Sequence, residues 1–403
     1  MRICGIIAEY NPFHYGHLHL LKKARKSPDD CIIVALSGSF VQRGEIAICD
    51  KWTRAAWALE AGADLVVELP TVFVLQSGTY FAHGAVRLLS QLGCQALCFG
   101  SEIADTTLFH TLIHQLSDAQ SDIHSLLHRH IKAGKSHPRA FYEAYIEHFG
   151  NHDAAAILRQ PNAFLSLSYL QAAQTVAPNM EIDIIPRSGG AYHDTALDTE
   201  NPSATAIRTA LFAKKTPVLD WNEVVPPYVA SSLQNEPIAH TQAIENLYLF
   251  ALRSASLTEL QAISGMTEGL EHRLISAGHQ ADLPSAIAHM KTKRYTHVRI
   301  QRILSSILLR ITQDLVQKAN AMPQPYAHIL GFRSSAAPVL KKLRQSHSPI
   351  WSQKKDLDAF SPLHRELASL DMRATDIQAL AFSRESARRA KKDYTHALRC
   401  WRK

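Results

Sequence analysis

Two histidines near the start of the chain, His14 and His17, flank Gly16 in the stretch NPFHYGHL, directly after the apolar run ICGIIA. An imidazole can donate a hydrogen bond to a phosphate oxygen, and a glycine lets the backbone approach a phosphate closely. A helix that begins here adds free N–H groups and positive potential. The pattern predicts a polyphosphate cradle without a Walker lysine. We predict no metal site, because no nearby Cys, Asp or Glu completes a ligand-like spacing.

A second phosphate-binding element is predicted in NPSATAIRTAL, residues 201–211. Ser203 and Thr205 can cap the following helix and donate to a phosphate, and Arg208, on the first turn, can form two parallel hydrogen bonds with one. Alone, the stretch fits an ordinary capped helix, just as an HxGH pair can arise by chance among 22 histidines. Together the two stretches favour a phosphate site.

The first half of the chain alternates apolar β-rich runs with amphipathic segments of helical length. Continuous Ile, Val and Leu indicate strands that are buried on both faces, as in a parallel sheet covered by helices. We predict an α/β fold with a Rossmann-like doubly wound parallel sheet, whose ligand site lies at the carboxyl ends of the strands. The predicted strands are RICGIIA, DCIIVALSG, DLVVELP, CQALCFGSE and EIDIIPR, and the helices are YGHLHLLKKARK, KWTRAAWALEAGA, YFAHGAVRLLSQLG and SATAIRTALFAKK.

The sequence predicts two domains. Residues 1–215 form the α/β domain, with a helical insertion at about 103–180, and a proline cluster in KTPVLDWNEVVPPY marks the boundary. Residues 216–403 are predicted to be an α-helical domain, since almost everything there has helical character, including YTHVRIQRILSSILLRITQDLV and the tail SRESARRAKKDYTHALRCWRK.

The positive charge is concentrated in the second half. Residues 1–215 carry 18 Lys and Arg against 20 Asp and Glu, whereas residues 216–403 carry 25 against 16. A basic half beside a neutral half indicates a polyanion-binding module, although a solvated basic surface gives the same count.

Composition places the chain among soluble globular proteins, with 46% apolar and 20% charged residues in 403. The apolar patch at the N-terminus is interrupted by Glu9 and is too short for a signal peptide, so we expect a cytoplasmic protein. The six cysteines are scattered without CxxC pairs, which predicts buried reduced thiols.

The two phosphate-binding stretches are similar to the HxGH and SSTxIR motifs of the nucleotidyltransferase superfamily, with Ala204 in place of the usual second serine. More narrowly, the first 330 residues resemble the bacterial tRNA(Met) cytidine acetate ligase family. The segments that carry this resemblance are GIIAEYNPFHYGHL, SGSFVQRGEIAICDKWTRAAWALEAGADLVVELP, YFAHGAVRLLSQLG, FGSE, QPNAFLSLSYL, IPRSGGAYHD and KRYTHVRIQRIL, with a weaker match in YAHILGFRSSAAPVLKKL.

The resemblance implies an ATP-dependent ligase that acetylates N4 of the wobble cytidine of elongator tRNA(Met), with free acetate as acyl donor. ATP is the expected co-substrate, with Mg²⁺ bridging its phosphates; no membrane and no stable protein partner are implied. The ATP-binding positions implied by the matching motifs are Ile7, Ala8, Glu9, Tyr10, Asn11, Pro12, Phe13, His14, Tyr15, Gly16, His17, Leu18, His19, Leu20, Gly100, Asn162 and Arg187.

We expect a two-step reaction through acetyl-adenylate, with His14, His17 and Arg208 as catalytic residues and Ser203 and Thr205 on the phosphates. The tRNA backbone is expected to contact Lys291, Lys293, Arg294, Arg299 and Arg302, with Tyr295 and His297 available for stacking. The alternative for this stretch is a solvated helix that packs through Val298, Ile300 and Ile303.

Three other functions remain open. A small-molecule adenylyltransferase that makes a dinucleotide needs neither the length nor the basic half. A class I aminoacyl-tRNA synthetase also uses a HIGH-type motif, but the chain has no KMSKS-like lysine loop. An RNA-binding protein with a degenerate nucleotide site conflicts with the intact His14, Gly16, His17 and Arg208.

Overall fold

The computed structural model describes residues 1–150, 153–187, 202–213, 220–267, 269–293 and 295–401. One mixed sheet runs through this part of the chain. Its strands are β1 (Ile3–Ala8), β2 (Cys31–Ser37), β3 (Leu65–Leu69), β4 (Ala96–Ser101), β5 (Glu181–Pro186), β6 (Ala327–Arg333), β7 (Ile350–Trp351) and β8 (Arg399–Trp401).

Helices cover the sheet and form most of the second half. They are α1 (Tyr15–Ala24), α2 (Lys51–Glu60), α3 (Thr71–Val74), α4 (Gly78–Gln91), α5 (Thr106–Asp118), α6 (Gln120–Lys132), α7 (His137–Phe149), α8 (Pro161–Val176), α9 (Ala204–Leu211), α10 (Trp221–Val224), α11 (Pro227–Asn235), α12 (Glu245–Ser254), α13 (Leu257–Ala262), α14 (Leu270–Ala277), α15 (Leu283–Met290), α16 (His297–Leu309), α17 (Gln313–Ala321), α18 (Ala337–Gln345), α19 (Pro362–Leu380) and α20 (Lys392–Thr395). Short 3-10 helices span Asp153–Arg159, Thr241–Ile244, Ser334–Ala336, Lys354–Ala359 and Glu385–Ala387.

The first five strands are parallel, in the order β5-β4-β1-β2-β3. The chain leaves β1 toward β2 on one side and later returns to β4 on the other, so the topological switch lies between β1 and β4. Every residue of β2 and β3 is buried, because helices pack on both faces of the sheet. The prediction of an α/β fold with a doubly wound parallel sheet is confirmed. Between β4 and β5 the chain forms α5, α6, α7, a 3-10 helix and α8.

Two long helical predictions are interrupted in the structure. The insertion breaks at Ala119, between α5 and α6. The segment 295–316 breaks after α16 at Arg310, whose φ of 54° is left-handed and ends the helix.

The second half is less helical than predicted, because three of its strands join the sheet of the first half. β6 pairs antiparallel with β3, and β7 and β8 pair parallel with β6. The prediction of a helical basic tail is wrong: after α19 the chain forms a 3-10 turn, the four residues of α20 and then β8. Paired strands of this length depend on distant partners, which local periodicity does not reveal.

A buried ionic cluster ties the tail to the sheet. The Lys51 ammonium donates to Glu68 Oε2 at 2.7 Å and to Asp393 Oδ1 at 2.6 Å, and all three side chains are at most 1% exposed. His328 Nδ1 lies 2.6 Å from the same Glu68 oxygen. The cluster therefore joins α2, β3, β6 and α20. Although Glu68, His328 and Asp393 have the residue types of a metal site, the Lys51 ammonium already serves as their cation.

The cysteines are unpaired, as predicted, and five of the six are buried, whereas Cys400 is exposed. In the described part of the chain, no helix has both the length and the apolar character that crossing a membrane requires.

Candidate nucleotide site

A cavity of about 220 Å³ lies beyond the carboxyl ends of β1, β4 and β5, at the topological switch. This is the place where open α/β sheets bind their ligands. Most of the predicted residues meet there, namely Ile7, Ala8, Glu9, Tyr10, Asn11, His14, Gly16, His17, His19, Leu20, Gly100, Asn162, Arg187, Ser203, Thr205 and Arg208. Four residues of the predicted segment lie outside the cavity wall: Pro12, Phe13, Tyr15 and Leu18.

His14 and His17 cap α1 reciprocally. His14 is the N-cap, and its Nδ1 accepts from the Gly16 N–H at 3.1 Å, while His17 Nδ1 accepts from the His14 N–H at 3.2 Å. A neutral imidazole that accepts at Nδ1 carries its proton on Nε2. The two rings, with centroids 3.8 Å apart, therefore each hold an Nε2–H donor for a ligand while their other nitrogens stabilise the helix.

Both imidazoles are neutral at physiological pH. Burial, with a smaller contribution from Arg187, lowers the pKa of His14 to about 3. Burial has the largest effect on His17 and, together with the neighbouring His14 and Arg187, lowers its pKa well below the ordinary value. The positive charge of the cavity therefore comes from the arginines, and the histidines act as hydrogen-bond donors.

Gly16 is required by the packing of the two rings. A Cβ at this position would lie 2.8 Å from His14 Cε1 and 3.0 Å from His14 Nδ1. Any larger residue would push the ring away from its capping position. The glycine in the motif thus leaves room for the His14 ring, and it also lets the backbone approach a phosphate closely.

The start of α9 faces the same cavity. Ser203 is its N-cap and accepts from the Ala206 N–H at 3.1 Å, as predicted for a cap, whereas Thr205 lies inside the first turn and caps nothing. Arg208 lies beyond the predicted first turn, and its Nη1 donates to the Asn11 carbonyl at 2.7 Å. Arg208 therefore connects α9 to the histidine segment across the cavity.

The opposite wall is formed by β4, β5 and α8. Gly100 leaves room for the Arg187 side chain, since a Cβ there would lie 3.3 Å from Arg187 Cγ. Arg187 follows β5, and its backbone N–H donates to the Ser101 carbonyl at 3.0 Å. Asn162, in the first turn of α8, donates its amide to the Glu102 carboxylate at 2.5 Å. An apolar wall completes the cavity, comprising Phe81, Phe99, Leu165 and Tyr169.

Residues 38–48 form a loop that contributes site residues missed by the sequence reasoning. Gln42, Arg43 and Glu45 line the cavity, and Glu45 Oε2 lies 3.8 Å from Arg208 Nη2. Glu9 Oε1 accepts from the Gln42 N–H at 2.8 Å. The stretch FVQRGEI carried the family resemblance, but its lack of regular structure gave no indication that it would fold over the strand ends.

The same loop docks on the basic helix α16. Ser305 donates to the Gly44 carbonyl at 2.6 Å. Gly44 has a φ of +88°, and a Cβ there would lie 2.5 Å from the Arg302 backbone nitrogen. The contact brings the predicted RNA-binding helix next to the nucleotide cavity.

The predicted RNA-binding residues have different environments. Lys291 and Lys293 are exposed, whereas Arg294 lies outside the described residues. Arg299 donates hydrogen bonds to the Gly265 carbonyl and the Thr267 hydroxyl. Burial, followed by repulsion from Arg299 and Arg43, lowers the pKa of Arg302 to about 10. The prediction that Tyr295 can stack on a base is wrong, because it is only 8% exposed; its ring packs against Arg299 instead.

Comparison with known proteins gives a consistent result over the whole chain. The model of the HIGH Nucleotidyl Transferase family matches residues 1–393. The tRNA(Met) cytidine acetate ligase of Syntrophomonas wolfei is 36% identical, covering 98% of this chain and 98% of its own. The enzyme of the same name from Alkaliphilus metalliredigens is 34% identical, covering 98% and 97%.

Solved structures show the same relationship. The apo crystal structure of Thermotoga maritima TmcAL superposes with a TM-score of 0.90 at 30% identity, covering 98% of both chains. A second structure of that protein, bound with alpha-thio ATP, superposes with a TM-score of 0.87 at 29% identity and the same coverage.

Proposed function

The chain belongs to the tRNA(Met) cytidine acetate ligase family of HIGH nucleotidyl transferases, and we propose that it uses ATP to activate acetate and then acetylates N4 of the wobble cytidine of elongator tRNA(Met). The observation that carries this proposal is the cavity at the switch point, where His14, His17 and Arg208 converge. The product is N4-acetylcytidine, and the intermediate is acetyl-adenylate.

The cavity provides one side for phosphates and one for the base. His14 and His17 donate through Nε2–H to the α-phosphate, and Arg208 holds the β- and γ-phosphates with the Ser203 and Thr205 hydroxyls. The N-terminus of α9 adds backbone N–H groups and positive potential. The apolar wall defined by Phe81, Phe99, Leu165 and Tyr169 suits an adenine ring, with Asn162, Arg187 and the close approach at Gly100 around the nucleotide.

The first step requires positioning more than proton transfer. Acetate is an anion at neutral pH and attacks the α-phosphorus directly, forming acetyl-adenylate and releasing pyrophosphate. The residues must align the two anions and stabilise the charge that develops on the phosphate oxygens. Neutral histidine donors are suited to this role, because they do not bind the ground-state triphosphate as strongly as fixed charges would.

Mg²⁺ fits as a partner of the triphosphate. Among the described residues, Glu9 and Glu45 are the carboxylates that line the cavity, so these residues form no dedicated cage, and the phosphates would supply most of the ligands.

The tRNA is proposed to approach over the loop 38–48 and α16. Arg43 and Arg299 both lie close enough to Arg302 to repel its charge, and such an excess of positive charge favours a phosphate backbone. Lys291 and Lys293 extend the same surface. The wobble base must leave its stack for N4 to reach the nucleotide cavity. The second half, 216–403, is therefore proposed as the tRNA-binding part, and the free thiols support a cytoplasmic location.

The proposal is tested by acetate-dependent exchange between ATP and labelled pyrophosphate, with His17→Ala as the comparison. Exchange that requires acetate and falls at least tenfold in the variant would support acetate activation by this site. Formation of a stable adenylated dinucleotide, with no requirement for acetate, would instead identify a small-molecule adenylyltransferase.

A further inference from the structure

Glu9 is a carboxylate in a cavity built for anions. It follows directly on β1, is partly buried and lines the nucleotide cavity. A carboxylate repels a triphosphate and an acetate alike, so Glu9 is not a direct ligand of either anion.

The surroundings of Glu9 place it between the phosphate side of the cavity and the proposed RNA entry. Its Oε1 accepts from the Gln42 N–H at 2.8 Å, which fixes the carboxylate against the loop 38–48. The charged groups that face it are Arg208 from α9, Arg43 and Glu45 from the loop, and Arg54 from α2, whose Nη1 donates to the Glu9 carbonyl at 2.8 Å. His14 and His17 of α1 share the same cavity wall. The loop in turn docks on α16 through Gly44.

On the basis of the proposed function, we propose that Glu9 accepts a hydrogen bond from the N4 amine of the wobble cytidine and takes up a proton from this amine during acetyl transfer. A carboxylate is the side chain that pairs with the cytosine amine, which is a donor only. Glu9 then contributes twice: it selects cytosine, and it positions N4 beside the acetyl group.

In the transfer step, the N4 lone pair attacks the acetyl carbonyl carbon, so that a C–N bond forms. The bond between this carbon and the phosphate oxygen breaks, and its electron pair leaves with AMP. One N4 proton passes to the Glu9 carboxylate, which later releases it to solvent.

The environment of Glu9 makes its carboxylate a stronger base. Burial, the dominant effect, raises the pKa of Glu9 above its ordinary value, against the opposing influence of the Gln42 N–H, Arg208 and Arg43. A carboxylate with a raised pKa is a stronger base and accepts the amine proton more readily.

The test separates the two half-reactions. Chemically synthesised acetyl-adenylate is supplied with unmodified elongator tRNA(Met), and single-turnover transfer is measured from pH 5 to 8 in the wild type, Glu9→Gln and Glu45→Gln. A glutamine at position 9 keeps an oxygen that can accept from the Gln42 N–H, so the loop retains its anchor. Pyrophosphate exchange with acetate is measured in parallel, together with its dependence on Mg²⁺ concentration.

We expect transfer in Glu9→Gln to fall about 100-fold or more, a much larger loss than that of exchange. The wild-type transfer rate rises with pH on its acid side, and this rise is absent in Glu9→Gln but present in Glu45→Gln. Glu9→Asp, which keeps the carboxylate, restores part of the rate.

Four results would overturn the assignment. Equal losses in exchange and transfer would place Glu9 on ATP, and an increased Mg²⁺ requirement for exchange would make it a metal ligand. Loss of the acid-side pH dependence in Glu45→Gln alone would make Glu45 the base. A wild-type protein with neither exchange nor transfer would refute the proposed function itself, and the role of Glu9 with it.

Discussion

The substitution Gly16→Ala tests whether the position of the His14 ring, and not merely its presence, governs acetate activation. The new Cβ would lie 2.8 Å from His14 Cε1, whereas ordinary contacts begin at 3.4 Å. The ring must therefore move by about half an ångström or more, and its hydrogen bond to the backbone N–H of residue 16 is weakened. Since a misplacement of about 1 Å can cost roughly 100-fold in rate, we expect exchange to fall between about 10-fold and 100-fold.

The stability of the variant should change little, because two effects oppose each other. An alanine in a helix is favoured over glycine by about 0.5–1 kcal/mol, while loss of a capping side chain costs about 1 kcal/mol. Urea denaturation should therefore show a free energy of unfolding within about 1 kcal/mol of the wild type.

Gly78→Ala is the matched control. Gly78 begins α4, and a Cβ there would meet Leu165 Cδ1 at 3.5 Å, which is an ordinary contact. This variant should gain up to about 1 kcal/mol in stability and keep its exchange rate. An exchange rate in Gly16→Ala equal to that of the wild type would show that the position of the His14 ring does not govern acetate activation. A stability loss above about 3 kcal/mol would show that the glycine is needed for folding instead.

Three further predictions concern the supporting structure. Lys51→Met should lower the free energy of unfolding by about 3–5 kcal/mol, because it leaves Glu68 and Asp393 buried without their cation; Lys318→Met, which removes an exposed pair with Asp314, should lower it far less. Gly44→Ala should displace the loop 38–48 from α16 and weaken tRNA binding in a filter assay, whereas an unchanged dissociation constant would contradict this docking. Because the pKa of folded His14 is about 3 and that of an unfolded histidine is about 6.5, the native state binds fewer protons between these values. The stability of the wild type should therefore fall, relative to His14→Asn, as the pH drops below about 6.5, by up to about 1.4 kcal/mol per pH unit, and parallel pH profiles in urea denaturation would contradict the buried neutral imidazole.

The sequence predicted the parallel sheet because its strands are continuous apolar runs. β2 and β3 are buried at every residue, and their sequences contain little that could face water. Position along the chain then placed His14 and His17 at the carboxyl end of β1. Here the local sequence and the global fold agree, and the prediction was correct.

The sequence could not predict contacts made by irregular or distant segments. The loop 38–48 has no periodicity, so Gln42 and Glu45 gave no sign that they would line the cavity. β6 pairs with β3 across more than 250 residues, and the tail follows it into the sheet because β8 needs β6 as a partner. Such pairing depends on tertiary contacts that no local window contains.

The reciprocal capping of α1 by His14 and His17 explains why the HxGH motif allowed two interpretations. His14 and His17 cap α1 through Nδ1, as any helix N-terminus requires, and this leaves Nε2 for the ligand. The structural interpretation of HxGH is therefore confirmed, and the functional one, which stays a prediction, uses the other nitrogen of the same rings.

The central claim is tested most directly by following the acetyl group. The purified protein is incubated with ATP, labelled acetate and unmodified elongator tRNA(Met), and the RNA is digested and analysed by mass spectrometry, with His17→Ala in parallel. The account predicts labelled N4-acetylcytidine that depends on ATP and is lost in the variant. Acetate-dependent pyrophosphate release without any label in cytidine would contradict it.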